Sequence, residues 1–134
     1  MLIISVIMPI ISISLNDKIL KDMDKLQREL GFTGRSEVIR TALRMLLADK
    51  KEMEKLSGII DGIMLIIHDD DHSEAFSKIR HNNQEIIQTQ VHNHLQSHKC
   101  MEILILKGDA EKVKRLSREL QTNRNIEYSK LMIT

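Results

Sequence analysis

The sequence predicts an α+β protein in two parts: a short strand with two helices, then a βαββαβ domain. Three observations carry this prediction. Apolar residues alternate with serines over Ile11-Ser12-Ile13-Ser14-Leu15, the period of a half-buried strand. Apolar residues then recur twice at helical spacing before a break near Ser57-Gly58. Beyond that break, four strand-like runs and two helical stretches follow in the order β-α-β-β-α-β, the ferredoxin-like arrangement.

The first part spans residues 9–56. Asn16 and Asp17 are good N-caps for a helix carrying Ile19, Leu20, Met23, Leu26 and Leu30, and Gly31 is placed to close it. Phe32-Thr33-Gly34 reads as a turn. A second helix starts near Arg35-Ser36, carries Val38, Ile39, Ala42, Leu43, Leu46 and Leu47, and runs to about Leu56. So few residues make too small a core for a monomer. A lone strand also needs a partner strand, and the simplest partner is the same strand of a second copy, paired about a two-fold axis.

The second part spans residues 57–134. Ile59 to Ile67 reads as a strand, His68 to His72 as a polar turn, and Ser73 to about Ile86 as a helix with Phe76 and Ile79 inward. Ile87 to Leu95 and Met101 to Leu106 read as neighbouring strands. Gly108-Asp109 starts a helix with Val113, Leu116 and Leu120 facing in, and Tyr128 to Ile133 forms the last strand. Asp69-Asp70-Asp71 is compatible with a hard cation but reads better as a solvated loop, with His68 and His72 as loop residues beside it, where a weaker accessory metal site is the alternative.

Composition narrows the function. Aromatic residues are 2% of the chain and Trp is absent, so the core must be aliphatic and Met. A formal net charge of +1 gives no global attraction to nucleic acid or acidic lipid. The apolar start, Met1 to Leu15, is interrupted by Ser5, Ser12 and Ser14 and has no basic residue before it. It is too short to span a bilayer and lacks a signal peptide's basic region, so no membrane association is expected. Met8 is a reasonable start, with Met1 to Ile7 as an extension. A single cysteine fits a reducing, cytoplasmic setting.

The chemistry concentrates in one stretch. All six histidines lie between His68 and His98, and the one cysteine is Cys100. One cysteine cannot form an internal disulfide, and beside histidines its thiolate suits a metal ion. On a strand, His92 and His94 point to one face. With Cys100 opening the next strand, two imidazoles and one thiolate can converge, and His81 offers a fourth donor. Taken alone, the His92/His94 pair also fits a polar surface. His98 fits an exposed turn.

The first part resembles the ribbon-helix-helix DNA-binding fold, through Ile11 to Leu15 and the string Gly31-Phe32-Thr33-Gly34-Arg35-Ser36-Glu37-Val38-Ile39-Arg40. The resemblance implies an intertwined dimer whose ribbon enters the major groove, with Ile10, Ser12 and Ser14 facing base edges. Gly34, Arg35 and Ser36 would then meet phosphates. By alternation alone, Ser12 and Ser14 equally fit the solvent face of an edge strand.

From Pro9 onward the chain is similar to the NikR-type nickel-responsive regulators, in which an ACT-like domain follows the ribbon-helix-helix. The match rests on His-x-His-x5-Cys at His92, His94 and Cys100, on His81 eleven residues earlier, and on Leu106-Lys107-Gly108-Asp109 and Lys130-Leu131-Met132. The resemblance implies a homotetramer built as a dimer of dimers. It also implies one Ni(II) per subunit, held in a square plane by His92, His94 and Cys100 of one subunit and His81 of its neighbour. The expected action is repression at an inverted-repeat operator. Such a donor set also suits Cu(II), which binds more tightly at equal concentration. Two departures stand out. Ile10 occupies a ribbon position that is often Arg in the family, and Thr41 replaces an acidic residue that joins Glu37 in an accessory cation site.

Other readings have testable signatures. A metal-independent DNA-binding protein with a small-ligand ACT-like domain would purify without stoichiometric metal and resist reconstitution. For an enzyme, the chain lacks a Gly-rich phosphate loop, a Ser-His-Asp order and paired carboxylates, and no enzymatic activity is expected.

Overall fold

The structure is a computed structural model that describes residues 8–134. The reading of Met1 to Ile7 as an extension ahead of Met8 lies outside the described residues. The chain divides into two compact units, the first ending at Lys50 and the second running from Lys51 to Thr134.

The first unit holds α1 (Asp17–Leu30) and most of α2 (Arg35–Glu54). The Asn16 side chain accepts a hydrogen bond from the Ile19 amide at 2.9 Å and satisfies a donor that the first helical turn leaves free. Gly31 ends α1 with φ +76°, a left-handed conformation that costs any side chain. α2 ends at Glu54, two residues short of the expected Leu56. Among its described residues, Met23 and Val38 are the buried hydrophobic side chains. Leu26, Leu30, Leu43, Leu46 and Leu47, which share the helical apolar stripes, are exposed.

The expected strand over Ile11–Leu15 does not form within one chain. Residues 8–16 have no regular secondary structure and are exposed. Pairing of backbone donors and acceptors is what makes a strand, and no other described segment of this chain pairs with these residues.

The second unit is an antiparallel sheet of β1 (Ile59–Asp69), β2 (Ile87–Leu95), β3 (Lys99–Asp109) and β4 (Ile126–Ile133), in the order β2-β3-β1-β4. Two helices, α3 (Ser73–Asn82) and α4 (Ala110–Thr122), complete the predicted βαββαβ order. The core gathers Met64, Ile66, Leu104 and Leu106 from the central strands with Phe76 and Ile79 of α3 and Val113, Leu116 and Leu120 of α4. Asp109 caps α4 by accepting from the Glu111 amide at 3.0 Å. At Gly108 the backbone passes so close to Ile86 that an added Cβ would sit 2.5 Å from its Cγ2.

Two boundaries depart from the sequence reading in ways that matter for the site. The helix expected to reach Ile86 stops at Asn82, because Asn83 turns its side-chain amide back onto the Ile79 carbonyl at 2.7 Å, and a 3-10 turn over Gln84–Ile86 follows. His68, expected in a polar loop, instead lies inside β1. It pairs in register with Cys100 and is fully buried. Asp70–His72, read as loop, form a 3-10 turn directly after the strand.

Candidate metal centre

The register of the β2–β3 hairpin builds the site. His92 stands opposite Glu102 and His94 opposite Cys100. Side chains alternate along a strand, so His92, His94, Cys100 and Glu102 all project from one face. The potential ligand atoms of His92, His94 and Cys100 lie within 4.8 Å of one another. His94 Nδ1 is 3.6 Å from Cys100 Sγ, and the two imidazoles meet edge to face at 4.9 Å between centroids.

Behind these donors lies a buried polar network. The Glu102 carboxylate, 2% exposed, holds His92 through Nδ1, which leaves Nε2 of that ring facing outward as the available ligand atom. A carboxylate behind a ligating histidine fixes the ring and raises its basicity. Gln90 donates its amide to the second Glu102 oxygen at 2.9 Å. His68 approaches the first oxygen through Nε2 at 3.3 Å, while its Nδ1 donates to the Asp69 carbonyl at 2.8 Å, since a carbonyl can only accept. The His68 ring stacks on Phe76 at 5.2 Å.

Cys100 is 1% exposed, and its thiol donates to Asp70 Oδ1 at 2.7 Å. Burial pushes the thiol pKa up to about 11, and the Asp70 hydrogen bond adds to the rise. Near neutral pH this sulfur is a thiol, so a metal ion must displace its proton. The same hydrogen bond holds the Asp70 carboxyl below its ordinary range, helped by the charge of His94.

The fold thus brings together His92, His94 and Cys100, three of the four expected donors, and does not bring His81 to them. His81 is exposed in the last turn of α3, where Gln84 donates to its Nδ1 at 3.0 Å. His72 stands 3.9 Å from Asp69, and His98 sits with Ser97 in the β2–β3 turn, both at positive φ. The donor set fits a thiophilic divalent ion, with two imidazoles, a buried sulfur and a braced carboxylate behind them.

On the first unit, Ile10, Ser12 and Ser14 are exposed ahead of α1. Gly34 precedes α2, and Arg35 and Ser36 open it. Arg35 is clasped by Asp24 of α1, with Nε to Oδ1 at 2.9 Å and Nη2 to Oδ2 at 3.1 Å. Glu37 accepts from Arg40 at 2.8 Å and from Arg44 at 3.3 Å, while Arg44 also donates to Thr41 at 3.2 Å.

Sequence reasoning passed over Glu102, Gln90 and Asp24, and read His68 and Asp70 as loop residues rather than as neighbours of the site. One signal was available for Glu102: a charge inside Met101-Glu102-Ile103-Leu104, two residues from Cys100 and therefore on the same strand face.

Two family models match the chain. The model described as NikR C terminal nickel binding domain matches residues 62–134, and the one described as ribbon-helix-helix protein, copG family, matches residues 10–50. A Solidesulfovibrio magneticus protein named "Putative nickel-responsive regulator" is 34% identical, over 90% of this chain and 88% of its own. A Methanocaldococcus jannaschii protein of the same name is 33% identical, over 92% of this chain and 89% of its own. Among solved structures, an uncharacterized protein from Thermotoga maritima aligns with a TM-score of 0.52 at 20% identity, covering 57% of this chain and 98% of its own, a likeness of fold alone.

Proposed function

The chain belongs to the nickel-responsive transcriptional regulators of the NikR family, and from that premise we propose that Ni(II) binds a square-planar site of His92, His94 and Cys100 from one subunit and His81 from its neighbour. Members of this family are regulators rather than enzymes. The observation that carries the reading is the convergence of His92, His94 and Cys100 within 4.8 Å, with Glu102 braced behind His92. A preformed plane disfavours Zn(II), which prefers a tetrahedron. Cu(II) satisfies the same donors and is the alternative metal.

A ligand from a neighbouring subunit requires an interface. The sheet face away from the helices carries Val91, Ile105, Tyr128 and Met132, each about half exposed. Those residues and the open stripes of α1 and α2 support a homotetramer, a dimer of dimers with one Ni(II) per subunit. Such an ion, bridging subunits, biases how the ribbon dimers are held. A coupling of about 1–3 kcal/mol then shifts operator affinity roughly 5–150-fold. The DNA contacts are assigned to Ile10, Ser12 and Ser14 at base edges and to Gly34, Arg35 and Ser36 at phosphates. The operator is an inverted repeat, and the loaded protein represses from it. No described helix is long and apolar enough to cross a membrane. The use of a lone cysteine as a ligand suits the cytoplasm.

The test has two arms. Cys100→Ala should abolish the sulfur-to-nickel charge-transfer absorption and weaken Ni(II) binding strongly; unchanged spectra would overturn the site. A duplex selected from a random library by the Ni(II)-loaded protein should bind far more weakly after chelation, and equal affinity would overturn metal control.

A further inference from the structure

Asp70 belongs to neither the expected ligand set nor the network behind His92. It opens the 3-10 turn after β1 and is pinned there: its amide donates to the His98 carbonyl at 2.9 Å, and Ser73 Oγ donates to its carbonyl at 2.8 Å. The side chain points to the metal donors. Its Oδ1 lies 2.7 Å from Cys100 Sγ and 3.5 Å from His94 Nδ1, and those two atoms are 3.6 Å apart. One oxygen, one nitrogen and one sulfur from three segments of one subunit therefore form a small triangle, and a ligand atom of His92 lies within 4.8 Å of those of His94 and Cys100.

Metal–ligand distances of 2.0–2.3 Å give tetrahedral edges of about 3.3–3.7 Å. Two sides of the triangle already have that length. The third is a thiol–carboxylate hydrogen bond, which opens when the proton leaves and a cation takes its place. We propose that Asp70 is a fourth donor supplied within one subunit, giving the site a second, tetrahedral mode for Zn(II) or Co(II) that needs nothing from a neighbour. This rests on the reading of His92, His94 and Cys100 as ligands. In this mode the ion does not bridge subunits, so it occupies the site without engaging His81. Asp70 and His81 thus compete as the fourth ligand, and the preferred geometry of the ion decides between them.

The experiment titrates the full-length protein with Co(II), Zn(II) and Ni(II). Absorption reports geometry, because tetrahedral Co(II) has far stronger ligand-field bands than octahedral Co(II). Asp70→Asn keeps the side chain's shape and removes the anionic donor. It should weaken Co(II) and Zn(II) binding at least about tenfold and collapse the ligand-field intensity. Ni(II) binding should be nearly unchanged, which also shows that the variant is folded. His81→Ala should do the reverse. If Asp70→Asn leaves Co(II) spectrum and affinity intact, or if His81→Ala removes the tetrahedral spectrum, the proposal is overturned. Cys100→Ala with every metal spectrum unchanged would instead remove the premise, a distinct failure.

Discussion

Among residues 8–50 the buried hydrophobic side chains are Met23 and Val38, whereas the βαββαβ unit encloses eleven core residues on the helical side of its sheet. Both units present apolar stripes of similar regularity in sequence. They differ in where the complementary surface comes from. The sheet buries one face under its own α3 and α4. The two N-terminal helices leave Leu43, Leu46 and Leu47 in the open, and in the proposed dimer a second copy covers them. On that proposal the first unit is an interface as much as a domain, and its integrity should depend on protein concentration. The second encloses its core within one chain, beneath the strands that carry His92, His94 and Cys100.

The sharpest way to break this contrast is to place comparable truncations in both units. Leu116→Ala in α4 empties a site with no solvent access and should cost about 2–5 kcal/mol in denaturant unfolding compared with the parent at the same protein concentration. Leu46→Glu should leave the isolated chain's contacts intact, since Leu46 is 61% exposed. It should nevertheless abolish dimerisation through the N-terminal unit and, with it, operator binding. Light scattering with a gel shift checks both. A dimeric, DNA-binding Leu46→Glu protein would show that the open stripe is not the missing core.

Within the second unit, the buried network should set metal affinity more than any surface group. Glu102→Gln keeps hydrogen-bonding capacity but removes the charge behind His92, and Ni(II) affinity should fall about 10–100-fold in equilibrium dialysis. Binding should also depend on pH with a definite sign. The Cys100 thiol is raised to about 11 and must lose its proton to bind, so apparent affinity should rise about tenfold per pH unit between pH 7 and 9 from this group alone. Cys100→Ala should flatten that slope, and an equal slope in the variant would assign the proton elsewhere.

The same contrast explains what could be read from the amino-acid sequence. Alternation and helical spacing depend on each element's own residues, so the helices, the four strands of the second unit and the pairing of His92 and His94 on one face were legible. The nearness of Cys100 to the two histidines was legible because it needs only chemical type and strand position. His68 was misplaced because Asp69, Asp70 and Asp71 look like a loop, whereas the pairing of β1 with β3 extends the strand through His68 and Asp69. Asp70 and Asp24 act through partners 30 and 11 residues away, Cys100 and Arg35, and no local pattern encodes such contacts. The alternation over Ile11–Leu15 reads as a strand, but among the described residues of one chain nothing pairs with it and no strand forms.

The smallest expected effect bears on the exposed unit. Arg35 opens α2, where an N-terminus and a guanidinium together suit a phosphate, yet Asp24 already occupies two of its donors. The pair is solvent-exposed on the Arg35 side, and exposed ion pairs contribute little to stability, so Asp24→Asn should leave the unfolding midpoint nearly unchanged. Its effect should appear in DNA binding. Removing the carboxylate removes a competitor for the guanidinium. Affinity for duplexes of unrelated sequence should therefore rise, and the salt dependence should steepen by about one phosphate contact. Arg35→Ala should do the opposite, weakening all sequences alike and flattening the slope by about the same amount. In the double variant, Asp24→Asn should have no further effect, because its only route to DNA is through Arg35. If Asp24→Asn weakens binding instead, the carboxylate positions Arg35 for the phosphate rather than competing with it.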